Sequence, residues 1–220
     1  MRILIVTDSL GIPRENISIE DCWVDKLVSD NNNNTFYTLM LPGLSLKKIY
    51  EYRDIIMELY KPDIIIFQFG IVDACRRALP DTIKIIISRI KILSMIFRPL
   101  ISKFRFTLTR IFKFHRMAPK EFSKSLNELV SYGDLKAKIY FISIAPAGEF
   151  LAKKTYNIDN DIEHYNSILK KICDDTRIFF VNPYRGHDKN EIVMKDDGHH
   201  LTEYGHMLVF NKIKSVLKLH

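Results

Sequence analysis

The sequence is poor in cysteine, has no long uncharged apolar run and lacks acidic residues over one long stretch. Its three cysteines lie far apart among 220 residues, without a C-x-x-C pair. Such sparse thiols argue against a disulfide framework and are typical of a reducing cytoplasm. No apolar run reaches the ~18 residues of a membrane-spanning helix. No signal segment precedes the first apolar run. A cytoplasmic protein is therefore expected.

The missing acidic residues concern one segment only. Between Asp81 and Glu121 the chain carries no Asp or Glu, although its overall formal net charge is +7. The lysines and arginines of this gap are Lys84, Arg89, Lys91, Arg98, Lys103, Arg105, Arg110, Lys113, Arg116 and Lys120. Positive charge without a motif that reads bases indicates only non-specific attraction. No specific nucleic-acid partner is predicted.

The same basic segment, at about residues 82–117, holds more Ile, Leu and Phe than one helix stripe buries. Two interpretations stay open. Two core helices, broken at Pro99, would let long basic side chains reach water. Alternatively, the segment lies in an anionic membrane surface, with cations at headgroup level and apolar side chains below. The second interpretation would place the protein at the inner face of the membrane.

Apolar runs that alternate with helical patterns predict the fold class. Runs rich in β-branched and aromatic residues predict five strands, at 3–6, 35–40, 64–69, 138–144 and 178–181. Helical patterns lie between and after them, at 45–59, 159–175 and 202–219. This alternation predicts an α/β fold with a parallel five-stranded sheet covered on both faces by helices. Without repeats or linkers, residues 1–220 are expected to form a single domain.

The first predicted strand runs into a turn that carries Ser9. Residues 7–11 read Thr-Asp-Ser-Leu-Gly, directly after the apolar run. Open α/β sheets hold their ligands just past the carboxyl ends of the strands. A strand, a sharp turn and an exposed hydroxyl also make a nucleophile elbow. A Ser-Asp turn that caps the next helix is the alternative interpretation.

The loop before the last predicted helix supplies a carboxylate and an imidazole. Asp197 and His200 are three residues apart on a loop that contains Gly198. There the carboxylate can set the imidazole tautomer and stabilise the imidazolium that takes a proton from serine. The same spacing at Asp161 and His164 lies within a predicted helix, where a solvated face is expected.

Metal binding is the rival chemistry for this loop. Residues in this loop and in the helix after it supply metal-ligand side chains: Asp196, Asp197, His199, His200 and His206. Their spacing does not match a zinc-binding helix, and a metal would leave Ser9 without a role. No metal and no cofactor is predicted.

Together these stretches resemble the SGNH/GDSL hydrolase family. Thr7-Asp-Ser-Leu10 stands at the family's Gly-Asp-Ser block, and Gly43 stands at its second-block glycine. Gly70-Ile-Val-Asp73 aligns with Gly-x-Asn-Asp, while Asp197 and His200 match the final Asp-x-x-His. The blocks follow the family's order over almost the whole chain. The resemblance implies a flavodoxin-like, three-layer α/β/α fold and a serine esterase or acyl-transfer activity.

The resemblance also implies roles for individual residues. Ser9 would be the nucleophile, His200 the base and Asp197 the group that orients it, while the backbone amides of Ser9 and Gly43 would form the oxyanion hole. Leu201 follows the histidine as in the family, which favours this register over Asp196 with His199. His199 is then expected to point away, towards solvent. The predicted substrate-binding residues are Asp8, Gly70, Asp73, Arg76 and Arg77.

Two positions depart from the family pattern. Thr7 replaces a glycine, which we expect to be a mild change. Val72 replaces the asparagine that donates to the oxyanion, and losing such a donor typically costs about 10²–10³ in rate. Neighbouring side chains that could replace that donor are Gln68, Arg76 and Arg77. The two arginines match carboxylate or phosphate in bidentate fashion, although a solvated helix start is equally compatible with the pair.

The sequence also resembles SGNH-like proteins of bacterial surface-polysaccharide pathways, through Gln68-Phe-Gly-Ile-Val-Asp73. This resemblance implies a small-molecule or glycan ester substrate, with O-acyl (acetyl) groups removed through an acyl-enzyme. The change at Val72 keeps an alternative open, a catalytically impaired module that binds a glycan or a partner protein.

Overall fold

The computed structural model describes residues 1–14, 16–132 and 136–218. Its sheet contains β1 (Arg2–Thr7), β2 (Thr35–Met40), β3 (Ile64–Gln68), β4 (Lys138–Ile142) and β5 (Ile178–Val181). All neighbouring strands are parallel, in the order β2-β1-β3-β4-β5. The predicted α/β fold with a parallel five-stranded sheet is confirmed.

The central strands owe their continuous apolar sequences to burial on both faces. Every residue of β3 is buried, as is β1 from Ile3 onwards. Successive side chains point to opposite faces of the sheet. Accordingly, Leu4 and Val6 belong to one core cluster, whereas Ile3 and Ile5 belong to the other. The edge strand β2 has no fully buried residue.

Helices cover both faces of this sheet and make the three layers. On the Ile3 face lie α1 (Trp23–Ser29) and α11 (Glu203–Leu217), which supply Trp23, Leu27, Val209 and Ile213 to the core. On the other face lie α2 (Leu46–Glu51), α7 (Pro119–Val130) and α9 (Ile158–Lys171). The shorter helices are α3 (Ile71–Ala74), α8 (Glu149–Lys154) and α10 (Lys189–Ile192), with 3-10 turns at Ser9–Gly11 and Ile19–Asp21.

Several predicted boundaries differ from the structure, and two of the differences concern helices next to the site. The helix predicted over 45–59 divides into α2 and a π-helical stretch at Ile55–Leu59. The last helix starts one residue later than predicted. Thr202 is its N-cap, and the Thr202 hydroxyl accepts a hydrogen bond from Gly205 N. A threonine in this place satisfies a backbone donor that the first helical turn leaves free.

The basic segment forms three helices: α4 (Asp81–Arg89), α5 (Lys91–Lys103) and α6 (Arg105–Phe112). Pro99 lies inside α5, so the predicted break at Pro99 is wrong. No residue of α4 or α5 is buried, and Ile92 is 71% exposed. The interpretation as two core helices is therefore also wrong. We refer to α4–α6 below as the basic helices.

Among the residues described, none of the helices combines the length and apolar character needed to cross a bilayer.

Candidate active site

Strand order decides where the site lies. β1 pairs with β2 on one side and with β3 on the other, so chain connections leave β1 in opposite directions. In open parallel sheets this switch point opens a crevice at the carboxyl ends of the strands. Ser9 follows β1 at that point and begins a short 3-10 turn. Asp8 caps the turn, because its Oδ1 accepts a hydrogen bond of 2.9 Å from Leu10 N.

Ser9, His200 and Asp197 form one hydrogen-bonded chain. His200 Nε2 lies 3.0 Å from Ser9 Oγ, and His200 Nδ1 lies 2.6 Å from Asp197 Oδ2. Asp197 Oδ1 also accepts the backbone N–H groups of His199 and His200, at 2.8 and 3.0 Å. The carboxylate thus fixes the loop and holds the proton of the imidazole on Nδ1. Nε2 is left to accept a proton from Ser9.

The electrostatics of the chain suit a neutral imidazole next to an ionised carboxylate. Burial raises the pKa of Asp197, but the N–H groups of His200 and His199 and the imidazole outweigh it and hold that pKa at about 2. Burial lowers the pKa of His200 below its usual value, and hydrogen bonding to Asp197 opposes that effect. At neutral pH His200 is therefore unprotonated and able to act as a base.

Close backbone packing holds the loop that carries His200. Gly198 has φ +73°, and a Cβ atom there would lie 2.6 Å from Leu151 N at α8. Gly198 O accepts a hydrogen bond of 2.8 Å from Gly148 N. Leu201 is 1% exposed and belongs to the core. This burial agrees with the register in which the leucine follows the histidine that faces Ser9.

Gly43 lies in the loop after β2, the strand beside β1. Its φ is +69°, a conformation that favours glycine. Within the described part of the chain, the backbone N–H groups of Gly43 and Ser9 donate no hydrogen bond. The guanidinium of Arg116 donates to Gly43 O at 3.1 Å. Two free amide donors at the carboxyl edge of neighbouring strands are the groups that an oxyanion hole requires.

Of the side chains expected to replace the family asparagine at Val72, Gln68 and Arg77 lie in different surroundings. Gln68 is buried: its amide nitrogen donates to Tyr184 Oη at 3.1 Å, and its oxygen accepts from Trp23 Nε1 at 2.8 Å. Gln68 is therefore committed to the interior. Arg77, which pairs with Asp81 at 3.2 Å, remains beside the cavity described below.

The structure corrects the prediction that Asp8, Asp73 and Gly70 contact substrate. Both carboxyl groups are 0% exposed, and burial raises the pKa of each to about 7. Asp73 Oδ2 accepts Leu46 N at 2.9 Å and so joins α3 to the start of α2. Gly70, at φ +117°, packs where a Cβ would meet Ile144 Cδ1 at 2.7 Å. All three residues support the site from inside the protein.

Arg76 is also not free for substrate in the predicted way. Its guanidinium makes a bidentate ion pair with Asp161, at 2.6 and 2.9 Å, and both residues are buried. His115 Nε2 lies 3.5 Å from the same carboxylate. The expectation that Asp161 lies on a solvated helix face is therefore wrong. Buried charge needs a partner, and here the partner is 85 residues away in sequence.

Arg14 is a site residue that the sequence reasoning missed. Its Nη2 contacts His200 Nε2, the atom that also faces Ser9 Oγ. Arg14 Nε is buried without a hydrogen-bond partner among the described residues. Because the cation lies beside the imidazole, it contributes to the lowered pKa of His200. An arginine in an irregular loop has no periodicity or motif that would indicate this position.

His199 packs beside His200 and does not point away from it. The two ring centroids are 3.9 Å apart, and His199 borders the cavity. Ligand atoms of Asp197, His199 and His200 lie within 4.8 Å of one another, close enough for metal binding. His206 is outside this group: it is buried, accepts Trp23 N at 3.3 Å, and burial lowers its pKa to about 4.

A cavity of about 760 Å³ adjoins this loop. Gly43, Val72, Asp197 and His199 border it on the side of the sheet. Helices α4 and α5 form the facing wall, with Ile87 and Ile101 among the lining residues. The volume lies in the range of small-molecule sites.

No protein-family model and no curated protein sequence matches the chain. Solved structures do match, at low identity. A lipase/acylhydrolase from Enterococcus faecalis superposes with a TM-score of 0.69 and 13% identity, covering 99% of this chain and 96% of the other. A catalytic mutant of Axe2, an acetylxylan esterase from Geobacillus stearothermophilus, superposes with a TM-score of 0.66 and 12% identity, covering 100% of this chain and 94% of the other. A GDSL-like lipase from Bacteroides thetaiotaomicron superposes with a TM-score of 0.60 and 13% identity, covering 99% of this chain and 87% of the other.

These likenesses extend over nearly the full length of each chain. The protein therefore has the α/β fold of GDSL-type lipases and acylhydrolases, as the sequence predicts.

Proposed function

We propose that this protein is a serine ester hydrolase in which Ser9 is the nucleophile, His200 the general base and Asp197 its orienting carboxylate. The observation that carries the proposal is the continuous chain from Ser9 Oγ to His200 Nε2 at 3.0 Å and from His200 Nδ1 to Asp197 at 2.6 Å. A nucleophile, a base within hydrogen-bond reach and a group that orients the base are the three parts of such a mechanism.

The reaction follows from this geometry. Ser9 Oγ attacks the acyl carbon while its proton passes to His200 Nε2, and the tetrahedral oxyanion accepts the N–H groups of Ser9 and Gly43. The imidazolium, stabilised by Asp197, then gives its proton to the departing alcohol, which leaves an acyl-enzyme. His200 next deprotonates a water molecule that attacks the acyl group. The acid departs and Ser9 regains its proton.

Arg14 adds a condition to this cycle. Its guanidinium donates to the same Nε2 that must receive the proton of Ser9. Two donors cannot share that lone pair at full strength, and a nearby cation disfavours the imidazolium. Arg14 therefore withdraws from Nε2 when His200 takes up a proton.

For the substrate, we propose an O-acetylated glycan, in keeping with the acetylxylan esterase among the similar structures. The resemblance to proteins of bacterial polysaccharide pathways supports the same class. A sugar hydroxyl could replace water as the acceptor of the acyl group, which would make the enzyme an acyltransferase.

Hydrolysis of p-nitrophenyl acetate tests the catalytic proposal. We expect a burst of nitrophenol stoichiometric with enzyme, absent in Ser9→Ala and unaffected by EDTA. Activity that survives in Ser9→Ala but disappears with EDTA would replace the serine mechanism by a metal site on Asp197, His199 and His200. A folded wild-type protein without any burst would favour the impaired module, which binds a glycan or partner without turnover.

A second proposal concerns the basic helices, which we propose lie on an anionic membrane surface at the cytoplasmic face. Large apolar side chains on them are exposed: Ile85, Ile86, Ile92, Met95, Ile96, Leu100 and Ile111. Residues 82–120 contain interleaved lysines and arginines but no Asp or Glu. Apolar side chains with cations alongside complement anionic headgroups.

Liposome flotation tests the membrane proposal. The protein should float with phosphatidylglycerol vesicles at low salt and much less at high salt, because salt screens the attraction. Failure to float with anionic vesicles at low salt would rule out the membrane interpretation.

A further inference from the structure

The cavity beside the Ser9–His200–Asp197 chain is lined by cations to an unusual degree. Among its lining residues Asp197 is the one carboxylate of the described chain, and that carboxylate is engaged with His200. The basic lining residues number eight: Lys48, Arg76, Arg77, Lys84, Arg98, Arg105, Arg116 and Lys154. They come from both walls, the sheet side and the basic helices.

Neighbouring carboxylates neutralise only some of these cations. Asp161 pairs with Arg76, and Asp81 lies 3.2 Å from Arg77 and 3.5 Å from Arg116. Among the residues that the structure describes, no carboxylate lies within 4.0 Å of the remaining five basic side chains. These five are Lys48, Lys84, Arg98, Arg105 and Lys154. Cations gathered in a concave site raise the local concentration of anions.

Two buried donors at the cavity wall also lack acceptors. Arg76 is 8% exposed and its Nη1 has no hydrogen-bond partner among the described residues, although the rest of its guanidinium is held by Asp161. Arg77 Nε is likewise buried without a hydrogen-bond partner among the described residues. A buried donor without an acceptor is unfavourable. Both arginines line the cavity, so a small shift of either side chain would let an anionic oxygen there accept from it.

We propose that the site selects esters whose alcohol part carries phosphate or carboxylate, and that Arg76 and the five cations without a carboxylate partner bind that part. The inference rests on the proposed function and adds its substrate class. Guanidinium groups suit phosphate and carboxylate oxygens equally in geometry. Because Gly43 and Asp197 border the same cavity, an ester whose anionic part binds among these cations extends towards the loop that carries His200.

Matched ester pairs test the selection. 1-Acetylglycerol 3-phosphate is compared with 1-acetylglycerol, and acetoxyacetate with acetoxyacetamide, so that each pair differs by one anionic group. We expect kcat/KM to be at least about tenfold higher for the phosphate ester than for its neutral partner, and the ratio to fall with salt. A larger ratio for the carboxylate pair would assign the cavity to carboxylates. Ratios near one for both pairs would overturn the proposal.

Variants locate the effect in the cavity. Arg105→Gln and Lys84→Gln remove cations that line the cavity, whereas Arg89→Gln and Lys91→Gln remove cations of α4 and α5 that do not. For each lining variant, the loss on the phosphate ester should exceed the loss on the neutral ester about tenfold, the usual size of one charged hydrogen bond. The two control variants should change neither. Equal losses of activity on the phosphate ester in lining and control variants would mean that the overall positive charge attracts the ester and that the cavity is not a binding site.

Calorimetric titration with pyrophosphate keeps the inference separate from catalysis. Wild-type protein and the two control variants should bind pyrophosphate, and the lining variants should bind it at least about tenfold more weakly. Binding with this pattern in a protein that hydrolyses no ester would retain the anion site and reject the proposed function. Hydrolysis of neutral esters by a protein that binds no pyrophosphate would retain the proposed function and reject the anion site.

Discussion

The two walls of the cavity are built in opposite ways. On the sheet side, Ser9 and Asp197 are held by buried strands, backbone hydrogen bonds and tightly packed glycines. On the other side, α4 and α5 contain no buried residue. Proton transfer and nucleophilic attack need reacting atoms placed to a fraction of an ångström, whereas attraction between charges falls off slowly with distance. A rigid wall therefore suits the positioning of reacting atoms, and a loosely packed wall is sufficient to attract an anion.

The largest loss of activity is expected from a substitution of His200 in the rigid wall. His200→Ala removes the base of the Ser9 chain, and kcat should fall by about 10³-fold or more, because members of such a unit act together. His199→Ala removes the neighbouring imidazole of the same loop and should cost far less. Steady-state hydrolysis of p-nitrophenyl acetate measures both. If His199→Ala is the inactive variant, the register of the loop is misassigned.

One substitution made in each region compares their packing. Leu126→Ala in α7 deletes a fully buried side chain and should lower the free energy of unfolding by about 2–5 kcal/mol. Leu100→Ala in α5 makes the same change at a side chain that is 49% exposed, and should stay within about 0.5 kcal/mol. Urea denaturation gives both values. Equal losses would show that the basic helices have a core of their own.

Asp73 makes the rigid wall dependent on pH. Its pKa is raised to about 7 by burial, so the folded state holds the proton more tightly than the unfolded chain. The stability that this proton provides is complete below pH 4 and is lost as the pH rises towards 7, by about 1.4 kcal/mol per pH unit. Asp73→Asn does not titrate and should therefore gain stability relative to wild type between pH 5 and pH 8.

Urea denaturation at the two pH values measures the effect, with the exposed Asp196→Asn as the control. An Asp73→Asn difference that is constant with pH would contradict the raised pKa.

The smallest predicted effect is a difference in stability between substitutions at two glycines. Gly198 and Gly186 both have positive φ, at +73° and +87°, but a Cβ at Gly186 meets nothing within 4 Å. A Cβ at Gly198 would lie 2.6 Å from Leu151 N. Gly198→Ala should therefore destabilise the protein by about 1–3 kcal/mol more than Gly186→Ala, and should also lower kcat, because it displaces the His200 loop. Thermal unfolding and kinetics that show no difference would mean that the loop adjusts freely.

Strand identity was well determined by sequence, because residues buried on both faces of a sheet must be apolar without interruption. Ser9 and the His200 loop, which the fold brings together, could be singled out by sequence pattern and by family resemblance. The groups that support them could not. Asp8 and Asp73 read as polar loop residues, and only the assembled fold shows that both are closed off from solvent. The Arg76–Asp161 pair and the Arg14–His200 contact join segments distant in sequence, so neither has a local signal.

The basic segment shows a different limit. Its composition predicted helices but not what they would contact, since apolar side chains serve a core, a partner or a lipid surface equally well. The interpretation as core helices was wrong because the sheet face was already covered by α2, α7 and α9.

The distance between Ser9 and His200 along the chain also has a consequence for synthesis. The two groups are 191 residues apart, and β1 already has both of its sheet neighbours once β3 has formed. Domains made on the ribosome begin to fold from the amino-terminal end. Ser9 is thus placed early, while His200 arrives only after nearly all of the domain has been translated. Under the proposed mechanism, a nascent chain would hydrolyse no ester until the last loop docks, and a truncated product would be inactive.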